Sequence, residues 1–210
     1  MSKLHKNQEK ILDLLLEYPE GLGLSELSEK MNISKSAVKE HILKIDALGF
    51  IRFIDSTGGI GRPKRKYLLT DEGHDVLPKQ YSWLSSTILE YLLEDMGEKE
   101  TAKIMKGLAS KVYKSMEARF TTKPSFLEKL TELSNTLNEL GYRARVKQSD
   151  LRKGAIIEAT NCVYHSVAKD HPELCQFDIL FIEKSTNTNV VMESCIAKGG
   201  ATCRFCLTKK

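Results

Sequence analysis

Five cysteines stand in the last quarter of this 210-residue chain, at Cys162-x12-Cys175-x19-Cys195-x7-Cys203-x2-Cys206. Thiolates bind soft metals, zinc or iron–sulfur clusters. The spacing is neither a C2H2 finger nor a paired CxxC ribbon. Long, irregular intervals call for a fold that gathers the ligands, not for one chelating loop. Five is odd, so a closed set of disulfides would leave one thiol over. Met1–Lys10 is polar and lacks the apolar stretch of a secretory signal, so a reducing cytoplasm is expected.

Local context refines the set. Cys162 follows Ala159-Thr160-Asn161, which reads as a strand end. His171-Pro172-Glu173-Leu174 precedes Cys175, with His171 as N-cap and Pro172 at N1 of a helix. Cys175 would then lie in a first turn whose positive end lowers a thiol pKa. If Cys203-Arg204-Phe205-Cys206 is a strand, Cys203 and Cys206 face opposite sides and cannot chelate together. A tight turn would let them. The strand reading makes Cys206 the spare thiol.

A second group of residues suits DNA. Three helices are expected, at about Asn7–Tyr18 (Ile11, Leu14 and Leu15 inward), Leu24–Met31 and Lys35–Leu48. Gly21-Leu22-Gly23 breaks the first from the second, and Asn32-Ile33 turns into the third, with Ser34 as N-cap. The third helix presents Lys35, Ser36, Lys39 and Glu40, with Lys44 further along. Short polar and basic side chains there suit base edges and phosphates in a major groove. Phe50–Ile54 and Tyr67–Leu69 read as strands around a Ser56–Gly61 tip. Arg62-Pro63-Lys64-Arg65-Lys66 puts four cations in five residues, a wing for phosphates or the minor groove. Arg62, Lys64 and Arg65 are its candidate contacts.

Between these groups, residues 80–120 show helical spacing at Leu84, Ile88 and Leu92, then Ile104, Leu108 and Val112. Tyr81 and Trp83 read as packing anchors. These helices are expected to pair two subunits, so that a homodimer meets a pseudo-palindromic double-stranded operator. After Thr121–Pro124 the pattern is α+β: a helix near Ser125–Leu140, strands at Tyr142–Lys147 and Ala155–Ala159, a helical stretch from Tyr164, and strands at Asn189–Glu193 and Cys203–Leu207. The expected organisation is therefore α+β: a winged helix-turn-helix over 1–78, a helical dimerisation segment over 79–123, and a cysteine-containing sensor domain over 124–210.

Hydrophobic residues make up 41 % and charged residues 29 %, a globular balance, and no apolar run is long enough to span a membrane. Net charge is only +4, so any nucleic-acid surface is local. No G-x-S-x-G, H-E-x-x-H or P-loop is present, and no enzyme activity is expected.

Residues 7–78 resemble the winged helix-turn-helix of bacterial repressors of the DeoR and ArsR type. The stretch "GRPKRKYLLTDEG", Gly61–Gly73, is similar to the wing of the iron–sulfur repressors of the Suf operon. Asn161–Leu207, with "NCVYHSVAKDHPELC" and "ESCIAKGGATCRFCL", resembles the sensor half of the same repressors, and also the four-vinyl-reductase type of small-ligand domain. The resemblance implies a repressor of iron–sulfur assembly genes. It also implies a cluster, expected as [4Fe–4S], on Cys162, Cys175 and Cys203, with Cys195 as fourth ligand and Cys206 as its alternative. Two rival readings are a zinc- or small-ligand-responsive regulator and an iron–sulfur redox protein.

Overall fold

The structure is a computed structural model and describes residues 4–56 and 64–210. The chain divides into two compact units, Met1–Lys79 and Gln80–Lys210.

In the first unit, α1 (Lys6–Glu17), α2 (Leu24–Met31) and α3 (Lys35–Ala47) surround one apolar core. Ile11, Leu12, Leu15, Leu27, Val38, Ile42 and Ile45 are buried, while Leu14 is only partly covered. Asn32 takes the left-handed conformation between α2 and α3, at φ 54, which Asn tolerates better than most residues. Ser34 Oγ then accepts from the Ala37 N–H and caps α3, as expected. The Gly21–Gly23 break is more than a break. Leu22–Gly23 forms β1, which pairs with β3 (Lys64–Leu69); β3 in turn pairs antiparallel with β2 (Ile51–Ser56). The basic run therefore lies partly in a strand: Lys64, Arg65 and Lys66 belong to β3. Helix α4 (Asp71–Val76) follows, and there Gly73 packs so closely on the Phe50 carbonyl that a β-carbon would overlap it.

The second unit is a four-stranded antiparallel sheet of β4 (Ala144–Gln148), β5 (Ala155–Ala159), β6 (Thr188–Ser194) and β7 (Cys203–Lys209), in the order β4-β5-β7-β6. Helices α5 (Tyr81–Thr121), α6 (Phe126–Glu139) and α8 (Cys175–Thr186) pack with its inner face into one core. Alternation decides which residues face in. Ala155, Ile157, Cys203, Phe205 and Leu207 are buried; Ile156, Glu158, Arg204 and Cys206 point to the other face. A ladder of ion pairs, Lys147–Glu158–Arg204–Glu193, crosses that outer face.

Two expectations change here. The helical stretch from Tyr164 is interrupted: α7 (His165–Ala168) ends, a 3-10 turn covers Pro172–Leu174, and α8 begins at Cys175. Pro172 pushes His171 out of the helical region. Helix α5 (Tyr81–Thr121) is one long element broken at Gly97, whose φ of 76 is glycine territory. Its buried residues are Leu89, Thr101, Met105, Ala109 and Phe120; of the residues at helical spacing, Ile104 and Val112 pack against the cores, while Leu84, Ile88 and Leu108 are about half-exposed. Tyr81 and Trp83, expected as packing anchors, are each 66 % exposed. No helix of the described residues is long and apolar enough to cross a membrane.

Candidate functional site

Helix α3 buries Val38, Ile42 and Ile45, and this fixes its opposite face. Lys35, Ser36, Lys39, Glu40 and Lys44 are all exposed there, as expected. Leu43, on the same face, is 57 % exposed and was missed. Its periodicity reads as a neighbour of the core, yet a bare apolar side chain between cations suits a thymine methyl. On the hairpin, Arg65 is not a free cation. Its Nε lies 3.7 Å from Asp55 Oδ1, and its guanidinium lies 3.8 Å from the centre of the Phe53 ring. Stacking holds it on the hairpin flank. Arg62 and the tip from Thr57 lie outside the described residues. So does the Lys64 side chain, although its backbone opens β3.

The thiols come from separate segments. Cys162 sits in the loop after β5, Cys175 starts α8, Cys195 follows β6 and Cys203 starts β7. Cys175, Cys195 and Cys203 are linked by short contacts. Cys175 Sγ lies 3.6 Å from Cys195 Sγ, and Cys203 Sγ accepts from the Ile196 N–H. Charge on Cys195 would be felt by Cys162, Cys175 and Cys203 alike. Cys206 points to the opposite face of the sheet and is not among them.

The expected acidification of Cys175 is overturned. Burial, followed by its hydrogen bond with Cys195, pushes its thiol up to about 12. Burial likewise pushes Cys203 to about 11 and raises Cys162. The single turn before Cys175 cannot offset the loss of water. His171 gives no cap either. It is buried, with Nδ1 3.3 Å from Glu173 Oε1 and Nε2 4.0 Å from Glu90 Oε1.

A buried carboxyl, Asp178, also belongs to this site and was not foreseen. Tyr142 donates a 2.6 Å hydrogen bond to it, and burial raises its pKa to about 7. Its charge would act on Cys162, Cys175 and Cys203. The signal in the sequence is its position three residues after Cys175, on the same helical face.

The donors fit a thiophilic group by type: four soft ligands, Cys195 and Cys203 buried, Cys162 and Cys175 half-buried. As the side chains stand, no group of three or more His, Cys, Asp or Glu among the described residues forms a finished cage for a metal ion. The Cys175–Cys195 separation is nevertheless close to the edge of a tetrahedral thiolate site, about 3.8 Å for a metal–sulfur bond of about 2.3 Å.

Two family models match. One, described as an HTH domain, covers residues 7–61. The other, described as Methanogen output domain 1, covers residues 85–208. The chain belongs to the Methanogen output domain 1 family. The match takes in most of α5 and all four candidate ligand cysteines of this Methanogen output domain, so helix and thiol site are parts of one family unit. The helix-turn-helix match, with the hairpin that follows α3, makes the N-terminal unit a winged-helix DNA-binding regulator module. The resemblance to the Suf-operon repressors narrows to that coarser content. No curated protein matches the chain.

Among solved structures the chain is similar to a cysteine-to-serine mutant of Lactococcus lactis ZitR, at 24 % identity over 54 % of this chain and 77 % of that one, with TM-score 0.34. It is similar to ZitR itself, described as a zinc-responsive MarR family member, at 22 % identity over 54 % and 77 %, TM-score 0.33. The heme sensor protein PefR from Streptococcus agalactiae, in complex with heme, gives 22 % over 55 % and 76 %, TM-score 0.33. Overlaps this loose carry no weight for ligand or assembly.

Proposed function

We propose that this chain is a DNA-binding repressor whose C-terminal unit senses an iron–sulfur cluster of the [4Fe–4S] type. One observation carries the reading: Cys175, Cys195 and Cys203 are brought together from three segments, with Cys162 near enough to feel the charge of Cys195, while Cys206 is turned away. When bound, such a cluster supplies a redox- and oxygen-sensitive link among those segments. The chain's own residues do the rest. Cys175 ties the start of α8 to the end of β6 through Cys195, and α8 packs on α5. The exposed stripe of α5 pairs two copies, and two α3 helices meet two half-sites. Holding or releasing the thiols biases that pairing, and with it operator affinity. The resemblance to Suf-operon repressors adds iron–sulfur assembly genes as the regulated set.

Zinc is the second reading. The 3.6 Å separation of Cys175 and Cys195 favours it, because that distance suits one shared ion. Purification without oxygen, with visible spectrum and iron, sulfide and zinc content, separates the two. A broad brown band near ~400 nm with about four iron and four sulfide per chain is expected. About one zinc in a colourless protein moves the site to zinc. A metal-free chain that cannot be loaded, or operator affinity identical with and without metal, overturns metal sensing.

A further inference from the structure

A cleft of about 800 Å³ runs along β6, the outer strand of the C-terminal sheet, beside α8. Ile179, Val190 and Met192 give it apolar walls, and both Cys175 and Cys195 open onto it. Its volume is that of a small-molecule site. Its charge is biased. Glu193 is paired with Arg204 at 2.8 Å, and Glu183, which accepts from the Val190 N–H at 3.3 Å, is the one lining carboxylate with no cationic partner among the described residues. Lys106 and Lys198 line the same cleft and have no ion-pair partner among the described residues. Two free cations, an apolar wall and a pair of thiols 3.6 Å apart are thus presented to one bound molecule.

We propose that this cleft takes a small anionic disulfide and reduces it with the Cys175–Cys195 pair. Cys175 Sγ attacks one sulfur of the bound disulfide as its thiolate, a form that burial makes scarce, so this step is slow. The ligand's S–S bond breaks, and one half leaves as a thiol carrying the proton that Cys175 gives up. Cys195 Sγ then attacks Cys175 Sγ in the mixed disulfide. The bond to the second half breaks, and that half leaves with the proton from Cys195. Two electrons pass to the ligand; the protein ends with one disulfide and the ligand as two thiols. Closing the pair needs an approach of about 1.5 Å, from 3.6 Å to the length of an S–S bond. Lys106 and Lys198 hold the anionic ends of the ligand. The reaction belongs to the metal-free chain and does not depend on which metal, if any, the thiols hold; a bound metal would block it. The sensor then also reads the balance of small disulfides and thiols.

The test uses the full chain, stripped of metal with a chelator and reduced without oxygen. It is mixed with glutathione disulfide, which is anionic, or with cystamine, which is cationic. Reaction is stopped by alkylating free thiols, and peptides are mapped by mass. A Cys175–Cys195 cross-link is expected, formed about tenfold or more faster with glutathione disulfide. Cys195→Ser stops the reaction at a glutathione adduct on Cys175. The surface variants Lys106→Glu and Lys198→Glu leave the fold alone and abolish or invert the preference. Equal rates with both disulfides, a cross-link between other cysteines, or no cross-link overturns the proposal. Metal content, measured apart, reports on the metal reading separately.

Discussion

Cys203 and Cys206 stand three residues apart on β7 and face opposite sides of the sheet, Cys203 into the core with Phe205 and Leu207, Cys206 beside Ile156 and Val191. The pleat alone separates them. Cys206→Ser is therefore expected to leave metal content at the wild-type level, whereas Cys203→Ser or Cys175→Ser lowers it severalfold or more. Iron, sulfide and zinc analysis after identical anaerobic preparations checks this. Metal loss in Cys206→Ser would mean a ligand set other than the one gathered here.

The Asp178 carboxyl has its pKa raised to about 7 in the folded chain, against 3.8 as an ordinary group. A group raised in this way binds its proton more tightly folded than unfolded. The metal-free chain should thus lose stability as pH rises from about 4 through 7, then level off. The full effect is at most about 4 kcal/mol, from roughly three units at 1.36 kcal/mol each. Asp178→Asn keeps the shape, accepts from Tyr142 through its amide oxygen and cannot ionise. Urea unfolding at several pH values should show a much flatter profile for this variant.

Lys39 lies on the exposed face of α3 with Ser36, Leu43 and Lys44 nearby in the helical array. If it contacts a phosphate, Lys39→Ala weakens binding on every DNA sequence and reduces the slope of log K against log salt by about 1. Leu43→Ser behaves differently: it lowers affinity for the operator more than for random DNA, with the salt slope unchanged. Fluorescence anisotropy titrations from low to moderate salt separate the two effects.

Tyr81, Leu84, Ile88 and Tyr91 repeat at intervals of three, four and three along α5, and each is at least half exposed. That is the spacing of a two-helix seam. Leu84→Glu combined with Ile88→Glu is expected to turn a dimer into a monomer in sedimentation equilibrium. Because these side chains are half-exposed, stability of the monomer should move by no more than about 0.5 kcal/mol each. A wild-type chain that sediments as a monomer removes the seam.

The three helices of the N-terminal unit, with the cap at Ser34, are legible from periodicity and turn residues, because each is a local choice between side-chain spacing and backbone capping. The split between Cys203 and Cys206 is legible for the same reason: it follows from the pleat of one strand. Other features depend on residues far apart in the chain. Leu22–Gly23 becomes a strand only because β3 lies beside it. The inward face of α5 is set by what the sheet and α8 offer, so Leu84 and Ile88 turn outward although their spacing is as regular as that of Met105 and Ala109. Asp178 needs Tyr142, 36 residues earlier, to accompany its burial. The helix start at Cys175 promises an acidic thiol, but its positive end is a local effect that reaches one turn. Desolvation by the surrounding core is larger, so the thiol is pushed up instead. Sequence order alone marks the thiols as candidate ligands and the polar face of α3 as the candidate DNA surface. Tertiary packing decides which thiols meet, which faces are left bare, and what charge each buried group can hold.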